Sequence, residues 1–200
     1  PEQLRTFLCA TNLPVLFVTR VARSSGIQAL LSRALPNIGA CRVIVNLPQA
    51  EAYSELASNP NVLFINDVPH SWLLPRVDAV IHHAGAGTTA AVLSAGVPSL
   101  SLPTWGDQSM WADIIFTKGL GVAPVHVRWL SDERLRCALR ELLGDKDLQD
   151  RAASFGKSFS SKNPRASAIT RLERVLARGT APAPAPASPC HVGNAPSAQE

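Results

Sequence analysis

Residues 77–111 read VDAVIHHAGAGTTAAVLSAGVPSLSLPTWGDQSMW. The apolar run from Val77 to Ile81 ends in two histidines, His82 and His83, and a turn of small residues follows, Gly85-Ala86-Gly87. Thr88 and Thr89 lead into an apolar segment that stops at Gly96 and Pro98. A second apolar run then ends at Gly106-Asp107-Gln108. The order is strand, glycine turn, helix, strand, polar loop. Small residues let a backbone approach a ligand closely. A helix N-terminus offers unpaired N–H groups and the positive end of its dipole to an anion. Residues 83–88 are therefore expected to bind a phosphate-bearing ligand.

The same alternation extends in both directions. Upstream, Leu13–Val18, Cys41–Val45 and Val62–Ile65 read as buried strands. Pro1–Ala10, Ile27–Leu35 and Gln49–Leu56 read as helices, and Val68–Leu74 as a loop with a turn of helix. Inside the quoted stretch, strands are expected near 78–82 and 97–102. Downstream come a helix over Gln108–Thr117 and a sixth strand over Gly121–Val125. Ser131 is a candidate N-cap, with Asp132 and Glu133 complementing the dipole of a helix that Gly144 would close. Further helices are expected over Leu148–Phe159 and from Asn163-Pro164 to Arg178, proline being favoured at the first helical position. Apolar runs separated by helices predict an α/β fold. The expected form is a Rossmann-like parallel six-stranded sheet with helices on both faces, over residues 1–178. The Ala/Pro-rich residues 179–200 have too little apolar bulk to fold and are expected to be disordered. In such sheets ligands bind at the carboxyl ends of the strands. His82-His83 and Gly106-Asp107-Gln108 both lie just past strand ends and would share that edge.

Composition narrows the function classes. A net charge of +4 with scattered arginines, and no basic run interleaved with aromatics, argues against nucleic acid as partner. No apolar run approaches the ~18 residues of a membrane span, and Pro1-Glu2-Gln3 does not read as a basic leader. Cys9, Cys41, Cys137 and Cys190 lie far apart with no C-x-x-C pair, as expected of reduced thiols in a cytoplasmic protein.

Several motifs carry two readings. Gly85-Ala86-Gly87-Thr88-Thr89-Ala90 fits G-x-G-x-x-G/A, with Asp107 about 20 residues on, the fingerprint of a dinucleotide site. It falls in the fourth βα unit, however, whereas that fingerprint normally opens its fold. Asp107 is followed by Gln108 and a helix, as one of a pair of sugar-hydroxyl ligands would be. His83 suits a phosphate donor, a base, a metal ligand or a packed residue. His82 points to the other side of the strand, which disfavours a shared metal. Asp145-Lys146-Asp147 matches a D-x-D metal motif but sits among charges past a helix end, where a solvated turn is the simpler reading. Trp105 and Trp111 flank Asp107-Gln108 and suit either a sugar face or the core.

The run DVPHSWLLPRVDAVIHHAGAGTTAAVLSAGVPSLSLPTWGDQSMWA resembles the C-terminal, donor-binding domain of UDP-glycosyltransferases with the two-domain GT-B fold. The closest likeness is to sterol 3β-glucosyltransferases, whose pattern here is roughly VPHDWL…HHGGAGTT…AGVP…PFFGDQ.FW. The match runs from Asp67 to about Trp111, with weaker likeness from Pro1 to Leu143. The resemblance implies a role for each matching position. His83 would hydrogen-bond the diphosphate of UDP, cradled by the backbone of Gly85, Gly87 and Thr88. Val68 and His70 would lie against uracil and ribose. Asp107 and Gln108 would bind hydroxyls of the transferred sugar, and Trp111 would shape the sugar and acceptor side. The implied reaction is inverting transfer from UDP-glucose to a hydroxyl of a sterol or other lipid, with no metal or other cofactor. Membrane contact would be peripheral.

Three departures accompany the likeness. The family's N-terminal half, which holds the acceptor and usually the catalytic base, has no counterpart in these residues, so no catalytic residue is assigned. The first strand usually ends in a Gly-Ser-Met-type turn. Here the stretch is Val18-Thr19-Arg20-Val21-Ala22-Arg23, whose arginines suit either added phosphate contacts or a degenerate site. The family's first glycine after the paired histidines is Ala84. Three readings follow: part of an active glycosyltransferase, a separate donor subunit working with an acceptor-domain polypeptide at a membrane, or a non-catalytic nucleotide-sugar-binding domain.

Overall fold

The computed structural model describes residues 2–21, 41–46, 58–161, 169–171 and 173–174. Five strands lie in one parallel sheet: β1 (Val15–Thr19), β2 (Arg42–Asn46), β3 (Val62–Phe64), β4 (Ala79–His82) and β5 (Ser99–Ser101). Their order is β3-β2-β1-β4-β5. The chain steps from β1 outward through β2 to β3, then returns to the other side of β1 for β4 and β5. The carboxyl ends of β1 and β4 therefore flank the point where the direction of winding reverses. Open sheets of this kind place their ligand crevice there.

Alternation along each strand builds two cores, as expected of a parallel sheet covered on both faces. Leu16 and Val18 of β1, Val43 and Val45 of β2, and Ile81 of β4 pack with Leu135, Leu139 and Leu142 of α5 (Asp132–Gly144). Phe17, Ile44 and Val80 face the other way. They meet Leu4 of α1 (Glu2–Cys9), Leu73 of α2 (His70–Leu73) and Val92 of α3 (Ala86–Ala95). A 3₁₀ turn, Leu74–Arg76, continues α2. Full burial of each Leu, Ile or Phe contributes about 1.5–3 kcal/mol, so these two layers fix the register that positions the loops.

The remaining helices are α4 (Gln108–Thr117), with the bounds expected from sequence, and α6 (Lys146–Ser161). Helix α3 stops at Gly96, which takes a left-handed φ of 69° and donates its N–H to Leu93. Residues 1–162 form one unit, and residues 163–200 a second in which 169–171 and 173–174 are helical.

Two expectations are corrected. Residues 121–125 do not form a sixth strand: only an isolated parallel bridge joins Gly121 to Ser99. Val122 N–H bonds Ser99 O at 3.1 Å, and the ladder would next need the N–H of residue 124 on Ser101 O. Pro124 has no N–H, and Val125 takes that carbonyl instead at 3.0 Å, slipping the pairing by one residue. Gly144 does not close α5 in a left-handed conformation. The helix ends at Asp145, whose φ and ψ of −82° and 100° are extended. The helices expected over Ile27–Leu35 and Gln49–Leu56, the boundary at 178 and the tail 179–200 lie outside the described residues.

Candidate functional site

The turn leaving β4 is built on a buried histidine. His82 is fully enclosed, and its Nδ1 accepts the N–H of Ala84 at 3.1 Å. Burial pushes the His82 pKa down to about 3, helped by the neighbouring His83 and His70, so the imidazole is neutral. Ala84 is itself buried, with φ of 61°. A left-handed backbone costs a non-glycine residue roughly 1–2 kcal/mol, and the His82 hydrogen bond offsets part of that. The resemblance expects glycine at this position, and the conformation explains why.

Beyond Ala84 the polar groups are unspent. The imidazole of His83 lies over Gly85 so closely that a β-carbon there would overlap the ring, with Cε1 only 2.9 Å away. Nδ1 of His83 is buried without a hydrogen-bond partner among the described residues. Burial lowers the His83 pKa, Arg20 lowers it further and Asp107 opposes, which keeps the ring neutral at neutral pH. Gly85 is the N-cap of α3, with extended backbone (φ −67°, ψ 145°), and no side chain caps the helix. The first intrahelical bond runs from Thr89 N–H to Gly85 O at 2.9 Å. The N–H groups of Ala86, Gly87 and Thr88 precede it and have no intrahelical acceptor. Helices α2 and α4 also lack a side-chain cap, whereas α5 and α6 are capped. Ser131 Oγ accepts from Arg134 N at 3.2 Å on α5, and Asp145 Oδ1 from Leu148 N at 2.9 Å on α6. With the latter bond, Asp145 of the D-x-D motif is a helix cap.

The loop leaving β5 spends its polar groups internally. Gln108 is only 7% exposed, and its Oε1 accepts from the N–H groups of Thr104 at 2.8 Å and Trp105 at 3.3 Å. This ties the loop to the first turn of α4 and leaves the Gln108 amide donors uncommitted among the described residues. Trp111 donates Nε1–H to Asp107 Oδ2 at 2.9 Å, one helical turn away, and so holds the exposed carboxylate in place. Trp105, by contrast, is 76% exposed, which removes the core reading for it, and Met110 beside it is also exposed.

His70, at the start of α2, meets Phe17 of β1 edge-on, with ring centroids 6.0 Å apart. Burial lowers its pKa, Arg20 lowers it further and Asp67 opposes. Val68 packs partly buried against the same core. The backbone before it is held by Asn46, whose Nδ2 donates to Asn66 O at 3.0 Å. His70, His83, Arg20 and Asp107 thus share one electrostatic neighbourhood at the carboxyl edge of the sheet. Among the described residues no group of three or more His, Cys, Asp or Glu side chains could hold a metal. No helix among them is long and apolar enough to cross a membrane.

Sequence reasoning missed two features: the Trp111–Asp107 hydrogen bond, although the i, i+4 spacing on a helix could have signalled it, and the placing of Arg20 beside both histidines, which depends on strand order.

Comparison with known proteins agrees with this geometry. A family model described as the erythromycin biosynthesis protein CIII-like C-terminal domain matches residues 33–174. A sterol 3-beta-glucosyltransferase of Arabidopsis thaliana is 40% identical over 116 residues, 58% of this chain and 19% of that relative. One from Cryptococcus neoformans is 31% identical over 161 residues, 80% of this chain and 10% of the relative. The chain therefore spans a fifth or less of these relatives. Among solved structures, the glycosyltransferase VinC in complex with dTDP superposes with a TM-score of 0.70 at 24% identity. The likeness covers 90% of this chain and 45% of that one, and carries the fold.

Proposed function

The chain belongs to the family of erythromycin biosynthesis protein CIII-like C-terminal domains, one half of the GT-B glycosyltransferase architecture, and from that premise we propose that it is the nucleotide-sugar half of a glycosyltransferase. The donor is UDP-glucose and the acceptor a hydroxyl of a sterol or another lipid. The uncapped start of α3 beneath His83, at the reversal point of the sheet, is the observation that carries this reading. Three backbone N–H groups and a neutral imidazole converge at the positive end of the helix dipole, which favours an anion.

Each part then has a task. The N–H groups of Ala86, Gly87 and Thr88 and the imidazole of His83 receive the diphosphate. As the sugar–oxygen bond breaks, negative charge accumulates on the leaving diphosphate. Donors already aimed at it stabilise that state more than the ground state. The positive end of α3 contributes about half an elementary charge there, and no metal is required. Asp107 accepts hydrogen bonds from sugar hydroxyls, and Gln108 offers its amide N–H groups. Trp111 acts on the sugar through Asp107. Val68 and His70 border the uridine. An acceptor hydroxyl attacks the anomeric carbon from the opposite side, with inversion. Acceptor recognition and deprotonation are assigned to parts of the enzyme beyond these residues, as the length of the relatives supports.

Thermal unfolding with added UDP, dTDP and uridine tests the reading. A ligand at a hundredfold its Kd adds about 2.7 kcal/mol, several degrees in a chain of this size. UDP is expected to give such a rise and uridine little. A larger rise with dTDP would reassign the base, and no rise with either diphosphate at millimolar concentration would sink the proposal.

A further inference from the structure

We propose that Arg20 is a diphosphate-binding residue, the fixed cation of a clamp whose other two sides are His83 and the start of α3. The inference rests on the donor-site reading above and adds a residue to it from an opposite strand. The sheet order makes the ends of β1 and β4 neighbours at the reversal point. Val18 of β1 is level with Ile81 of β4, and two residues further along each strand stand Arg20 and His83. The crevice between the two loops is thus entered by Arg20 from one wall and by His83 with the α3 N–H groups from the other.

Three further observations converge on this position. Arg20 takes a left-handed backbone with φ of 51° immediately after Thr19, which is fully buried and bonded toward Asn46 on β2. A bulky residue in that conformation is sparsely populated in proteins, and such strain gathers at ligand sites. Arg20 is exposed and forms no ion pair with any carboxylate among the described residues. Its charge is nevertheless felt at both His70 and His83, which burial already keeps neutral. Among the described residues, this neighbourhood therefore holds the Arg20 guanidinium and two neutral rings, with the carboxylates of Asp67 and Asp107 beside them. A guanidinium can bind phosphate oxygens in a two-pronged geometry. The ligand class is a diphosphate group, with Arg20 rather than an imidazolium or a metal balancing its charge. Where the resembling family has a Gly-Ser-Met-type turn, this chain has Thr19-Arg20-Val21.

The test is calorimetric titration of the 200-residue chain with UDP, UMP and uridine, for the parent, Arg20→Ala, Arg20→Lys and Arg20→Gly. Arg20→Ala is expected to weaken UDP tenfold or more and UMP by less, and to leave uridine unchanged. Arg20→Lys should recover part of the loss. Arg20→Gly relieves the left-handed backbone, so its melting temperature should rise while its UDP affinity falls, a split that a structural role for the arginine would not produce. UDP affinity unchanged in Arg20→Ala and Arg20→Gly, with the parent binding UDP, would overturn the role of Arg20 and leave the donor site standing. No UDP binding by the parent would overturn both.

Discussion

The loops leaving β4 and β5 lie side by side on one sheet edge and treat their polar groups in opposite ways. After β4, three helix N–H groups and the Nδ1 of His83 have no partner among the described residues. After β5, Gln108 Oε1 is bonded twice to its own loop and Asp107 is held by Trp111. Unspent donors cost stability and are retained where a ligand completes them. Acceptors fixed in advance lose little entropy when they meet a neutral hydroxyl. The difference separates a site for charge from a site for shape within a few residues.

The largest expected effect tests what supports the first loop. His82 is neutral in the folded chain down to about pH 3 but titrates near 6.5 when unfolded. Between those values the unfolded state binds more protons, so stability is full above pH 6.5 and falls as the pH drops toward 3. The loss is roughly 5 kcal/mol over that window. The lowered pKa values of His70 and His83 act with the same sign. Urea unfolding across pH should show this acid limb, and His82→Gln should flatten it. An unaltered limb in the variant would mean that His82 is not what the β4 turn rests on.

Next in size is the loss of the anion site without loss of the fold. In Gly85→Ala the added methyl overlaps the His83 ring and must displace it. UDP affinity should fall about thirtyfold, the worth of one hydrogen bond to a charged group, while the melting temperature changes by only a few degrees. Parent-like UDP binding would show that His83 does not touch the diphosphate.

The smallest effects belong to the second loop, and they should be blind to UDP. Asp107→Ala is expected to weaken UDP-glucose about tenfold and leave UDP within twofold. Trp111→Phe keeps an aromatic ring but removes Nε1–H, and should cost UDP-glucose roughly threefold. Equal losses for UDP and UDP-glucose in either variant would erase the contrast between the loops.

Much of this arrangement is legible in the sequence because it is local. The strand ending at His82, the stop of α3 at Gly96 and the span of α4 follow from periodicity and from residues that cannot continue a helix. Their position just past a strand end brought Asp107 and Gln108 to the same edge as His83. What escaped is set by geometry that periodicity does not carry. Pro124 lies in an apolar run that looks like a strand, and only the ladder reveals that its missing N–H falls where a bond is needed. Gly144 matches a helix stop, yet the cap that follows is Asp145, serving α6 instead. Ala84 and Arg20 stand out in the sequence as departures from the family's pattern, but their left-handed backbones do not, and Arg20 comes level with His83 only because β4 inserts beside β1.

The division between the two loops is tested most directly by titrating the isotope-labelled chain and following backbone amides and imidazole rings by NMR. UDP should shift Ala86, Gly87, Thr88 and the His83 ring and leave Thr104, Trp105 and the Trp111 indole N–H unmoved; UDP-glucose should shift both sets. Shifts from UDP that begin in the Thr104–Gln108 loop, or that spare the start of α3, would contradict the account.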